Sequence, residues 1–172
     1  MILGMSVEMF TVLHVVISIA AILAGLVMVA AMIANVTRDG GLVAFFLLTT
    51  ILTSVTGFFF HSKAIGPPHI VGVISLVILA VALVALYARR LEGIWRGTFV
   101  ITAILALYLN CFVLVVQLFQ KIPSLNAFAP TGTEPPFVAA QGATLLLFLV
   151  LGFVAFRRYR PPALHQRYQP QS

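Results

Sequence analysis

Residues 9–34 read MFTVLHVVISIAAILAGLVMVAAMIA, without a single Asp, Glu, Lys or Arg. A helix crosses a bilayer in roughly 20 mostly apolar residues, so this stretch alone predicts a transmembrane helix. Four more stretches qualify or nearly so, at 42–60, 70–87, 98–119 and 137–156. Turn chemistry separates them: Arg38-Asp39-Gly40-Gly41, then Gly66-Pro67-Pro68, and later the segment from Pro130 to Pro136. Pro68 and Pro136 fall just before or in the first turn of a helix, where a missing N–H costs little. The expected fold is all-α, an integral membrane bundle of five transmembrane helices. It occupies residues 1–156 and leaves 157–172 as a basic tail.

Composition agrees. Of 172 residues, 62% are hydrophobic and 8% charged, too few charges to cover a core of that size in water. The formal charge of +6 is not a nucleic-acid signal, because Arg89, Arg90, Arg96, Arg157, Arg158, Arg160 and Arg167 sit in one loop and the tail beside apolar segments. Cys111 is the one cysteine and lies inside an apolar run, which excludes an intrachain disulfide. Residues 1–10 hold no Lys or Arg, so a cleaved signal peptide is not expected.

With the N-terminus outside, Arg38, Arg89, Arg90, Arg96, Arg157, Arg158, Arg160 and Arg167 all fall in cytoplasmic segments. Only Lys63 and Lys121 remain outside. The positive-inside rule therefore predicts an outer N-terminus and a cytoplasmic C-terminus.

Small and polar residues mark the faces where helices meet in lipid. His14, Ser18, Ala21 and Gly25 form one stripe at helical spacing, and Thr50, Ser54, Gly57 and His61 form a second. The third helix offers His69, Gly72, Leu76 and Ala80, the fourth Asn110 and Gln117, the fifth Gln141, Thr144 and Gly152. Topology gathers His14, His61 and His69 toward the outer side. At about 1.5 Å per residue, His14 lies roughly 7 Å and Gln141 roughly 6 Å below the outer end of its helix. Neutral imidazole is the form that tolerates an apolar setting, and it is also the form that binds a metal or haem iron. The candidate cofactor site is therefore His14 and His69, for haem b or a metal ion, with Gln141 as a hydrogen-bond partner that fixes the imidazole tautomer. His165 lies in the tail and is expected to be solvated.

Glu8, Asp39, Glu92 and Glu134 all lie outside the five stretches, and no stretch has Pro in its interior. Carriers coupled to protons or sodium usually keep an ionisable residue or a broken helix near the midplane, so pumps and channels are disfavoured. The absence of C-x-x-C-H excludes c-type haem attachment, and no H-E-x-x-H or G-x-S-x-G hydrolase motif occurs.

Three stretches carry a resemblance: ILTSVTGF at 51–58, LYLNCFVLVVQLFQKIPSL at 107–125 and APTGTEPPFVAAQ at 129–141. Together they resemble a family of small, uncharacterised bacterial multi-pass membrane proteins, over most of the chain. The resemblance implies a bacterial inner (plasma) membrane location. It also implies a Pro where this chain has His61, a departure that leaves His14 and His69 as the better ligand pair. The expected function is that of a non-enzymatic accessory or subunit protein, with the lipid bilayer and a membrane-protein partner or second copy as its contacts. A b-type haem or metal protein is the alternative, and small-molecule or ion transport ranks third.

Overall fold

The computed structural model describes residue 2 and residues 4–36, 40–60 and 67–160. Its helices are α1 (Val7–Ile33), α2 (Gly40–Gly57), α3 (Pro67–Leu83), α4 (Ile94–Lys121), α5 (Pro123–Phe128) and α6 (Pro135–Arg158), with a π-helical turn at Val84–Ala88 extending α3. Five segments are long and apolar enough to cross a membrane: Val7–Ile33, Gly40–Gly57, His69–Ala88, Ile94–Lys121 and Pro135–Arg158. Among the described residues all regular structure is helical, apart from one isolated bridge between Ile2 and Met5. The all-α, five-span, multi-pass reading thus holds.

The helix ends follow local chemistry. The Ser6 hydroxyl accepts from the Met9 amide and caps α1, and Glu8 favours the positive end of the dipole. At the other end Asn35 takes φ +51°, and the Val36 amide reaches back to the Ala31 carbonyl. That is a left-handed cap with asparagine in the place glycine usually takes. Arg157 and Arg158 belong to the last turn of α6 rather than to the tail, because cations suit a helix C-terminus. The connection at 120–136 contains α5, which Pro123 opens.

The turn after α3 is unusual. The Arg89 amide bonds to the Val84 carbonyl five residues back and the Leu91 amide to the Ala85 carbonyl six back, both wider than the four-residue bond of an α-helix. Arg90 (φ +49°) and Leu91 (φ +60°) both sit in the left-handed region, where each side chain costs about 1 kcal/mol or more.

Helices alternate in direction, as contacts between their ends show. His14 near the start of α1 meets Thr56 near the end of α2, and Phe119 late in α4 packs on Phe137 early in α6. At the opposite end, the Arg96 guanidinium donates to the Phe156 and Tyr159 carbonyls that end α6. The Arg160 amide donates to the Asn35 side chain, 2.8 Å away. One end of the bundle is therefore rich in arginine, with Arg89, Arg90, Arg96, Arg157, Arg158 and Arg160 set against Glu92 among the described residues. The other holds His14, His69, Glu8, Lys121 and Glu134.

Helix α4 touches all the other helices and buries Phe99, Val100, Ala103, Ile104 and Leu107. The apolar core extends to Met28, Val29 and Met32 of α1, Phe46 and Leu47 of α2, Leu79 and Ala82 of α3, and Phe148 and Ala155 of α6. These positions lie mostly in the half of each helix nearer the arginines. Helix α1 approaches closely there: a Cβ on Gly25 would fall 2.5 Å from Leu107 Cδ1 and 2.8 Å from Phe46 Cε2.

Candidate functional site

The histidine end is built from polar side chains that bond between helices. Early in α1, His14 Nδ1 lies 2.7 Å from the Thr56 hydroxyl of α2. That hydroxyl is itself 2.6 Å from the Leu52 carbonyl four residues back. A hydroxyl has one proton. Donating it to the carbonyl leaves the oxygen to accept from His14 Nδ1–H, which assigns that tautomer from the hydrogen-bond pattern. Nε2 then carries the lone pair, and it has no hydrogen-bond partner among the described residues. The ring packs edge-on against Phe60, with centroids 5.2 Å apart, and Phe60 in turn packs on Phe10.

His69, in the first turn of α3, packs against Phe58 at 5.8 Å, and Phe58 also covers Gly72. Both histidines thus approach the C-terminal end of α2, from different helices. Gln141 is set elsewhere: its Nε2 donates to the Phe112 carbonyl of α4 at 3.1 Å. Its Oε1 is buried and accepts nothing among the described residues. Among the described residues, no three of His, Cys, Asp and Glu gather closely enough to hold a metal ion. His61 and His165 lie outside the described residues.

Toward the midplane the same logic continues. The Ser54 hydroxyl of α2 lies 3.1 Å from Ser75 of α3, and the Asn110 amide of α4 donates to Thr50 of α2 at 3.4 Å. Sequence reasoning singled out Thr50, Ser54 and Asn110 but missed Ser75 and the pairing of Thr56. Ser75 is the polar position of its stretch, and the buried face of α3 runs through Ser75, Leu79 and Ala82, displaced from the expected Leu76 and Ala80. Counting residues from the ends of antiparallel helices sets Thr56 at the depth of His14, a signal present in the sequence.

Beyond these spans, Glu134 precedes the first turn of α6 and folds its side chain back on the loop instead of capping the helix. Its carboxylate accepts from the Thr131 amide and hydroxyl and from the Thr133 amide, at 2.8 to 3.0 Å. These donors, the Thr131 amide foremost, hold its pKa down from 4.5 to about 2.

Compared with family models, curated proteins and solved structures, the chain matches none.

Proposed function

We propose that the chain is a non-enzymatic subunit or accessory protein of a bacterial inner (plasma) membrane, acting through a membrane-protein partner or a second copy of itself. The arginine end faces the cytoplasm and the histidine end faces outward, as the positive-inside rule directs. The observation that carries this reading is the use of the polar side chains. His14, Thr50, Ser54, Ser75, Asn110 and Gln141 bond to neighbouring helices, which is what polar residues do in packed membrane bundles. Helix α6, the least covered of the five spans, is where further helix contacts would add cover.

A haem- or metal-binding role for His14 and His69 is the second reading. The His14 tautomer favours it, because a Nδ1–H held by Thr56 presents Nε2 as a ligand, the arrangement usual for metal-binding imidazoles. Thr56 then holds the tautomer in the place expected for Gln141, whose side chain bonds to the Phe112 carbonyl.

Native mass spectrometry and a visible absorption spectrum of protein extracted from its own membrane test the two together. The subunit reading expects a mass above the 18.6 kDa chain and no Soret band. A bare monomer overturns it, and a monomer with a Soret band or one equivalent of metal replaces it with the second. Reporter fusions after Gly40 and Arg96 should read cytoplasmic, and a fusion near Lys121 should read external.

A further inference from the structure

The sharpest feature outside the histidine end is the turn between the π segment and α4. A hollow of about 270 Å³ opens there, lined by Ala88, Arg89, Arg90, Glu92 and Trp95. We propose that this hollow seats the phosphodiester headgroup of an anionic lipid, with Arg89 and Arg90 giving the charge and Trp95 the interfacial anchor. The proposal rests on the membrane reading above only in placing this turn at a bilayer surface.

Four observations converge on it. The hollow follows Val84–Ala88, the end of one span, and precedes Ile94, the start of the next, which is headgroup depth. Its volume lies below the range of roughly 300–1,000 Å³ that takes a drug-sized molecule, so a headgroup fits and acyl chains must lie outside. A track for a chain exists: Val77, Val81 and Val84 are exposed along one face of the span, and that face leads to Ala88 in the hollow wall. Indole and guanidinium side chains are favoured at this level of a membrane.

The backbone adds one more. Arg90 holds φ +49° at a helix-ending position where glycine is the common choice. Its side chain is exposed, and Arg89 beside it lies over the Trp95 ring, 5.1 Å from the centroid. The arginines of this end add a positive field with Glu92 the single described acid, a setting that concentrates anions. Glu92 opposes the ligand and sets its affinity below what two arginines alone would give.

Trp95 is the one tryptophan in the chain, so its fluorescence reports this site alone. The intact protein is reconstituted in phosphatidylcholine vesicles containing phosphatidylglycerol, either lipid being brominated near the glycerol. Brominated phosphatidylglycerol should quench Trp95 more strongly than brominated phosphatidylcholine, and the preference should shrink with salt. Arg90→Gly should weaken the preference by about fivefold, the share of one arginine near the surface, while relaxing the backbone it sits on. Glu92→Gln should strengthen it. Equal quenching by the two lipids overturns the proposal, as does a preference unchanged in Arg90→Gly. Loss of the preference on adding inorganic phosphate at constant ionic strength overturns the lipid as the source of the phosphate. Vesicles carry the anionic lipid in both leaflets, so a wrong orientation would show in the fusions and leave this result untouched.

Discussion

Toward the arginines, Met28 and Met32 of α1, Phe46 of α2, Leu79 of α3 and Phe99 of α4 pack into a buried apolar cluster. Toward the histidines, the same helices meet through Ser54 with Ser75, Thr50 with Asn110, and His14 with Thr56. In water the first half would be the stable one by burial alone. In lipid the tails are as apolar as leucine, so the core there gains mainly from the fit of atom to atom. The polar half adds these pairings to aromatic contacts such as Phe10 with Phe60.

The comparison can be broken most easily at two glycines. Gly25→Leu forces a side chain against Leu107 and Phe46, both buried, and should cost about 3 kcal/mol, the upper part of the usual overpacking range. At Gly57 an added Cβ meets, among the described residues, only His14 Cε1, at 3.9 Å, and Gly57→Leu should change stability little. Unfolding by SDS in mixed micelles reads the two. Equal losses would show that the halves are packed alike.

A smaller effect sharpens the polar side. Thr56→Val removes the acceptor of His14 Nδ1–H and should cost about 0.6 kcal/mol, the average for an interhelical hydrogen bond in a membrane. The same titration, with His14→Phe and the double variant, checks it. If the two single losses simply add, the pair contributes nothing as a pair.

The smallest effect lies outside the spans. The Glu134 carboxyl is depressed to about 2 from an unfolded value of 4.5. Its contribution to the loop is complete above that unfolded value and is lost as the pH falls through about 2. Amide exchange at Thr131 and Thr133 should therefore accelerate, relative to other amides of the same loop, between about pH 4 and pH 2. Glu134→Gln should remove that step while leaving exchange in α4 unchanged.

Much of the fold was legible because a bilayer makes one demand, length without charge, that 9–34 and its four counterparts meet openly. On α6, Gln141, Thr144 and Gly152 also marked the inward face, since Phe148 and Ala155 are buried on that same side. On α3 the face was read one position away from the observed one. Val, Ile and Leu serve lipid and protein equally, so a stretch such as 70–83 carries almost no amphipathic contrast to read. The π turn at Val84–Ala88 and the left-handed Arg90 and Leu91 had no sequence signal, because neither glycine nor proline marks them. At the histidine end the residues were visible and their partners were not: pairing depends on which helices neighbour each other, which no single stretch encodes.

The bond from the Arg160 amide to the Asn35 side chain joins the first span to the last. Helix α1 packs on α2, α4 and α6, yet a chain made from its N-terminus brings these neighbours one after another. Until about residue 160 has left the ribosome, the seam of α1 facing α6 is open to lipid and Asn35 lacks its donor. The ring of helices thus closes only once α6 has emerged, after the other contacts of α1 can already form.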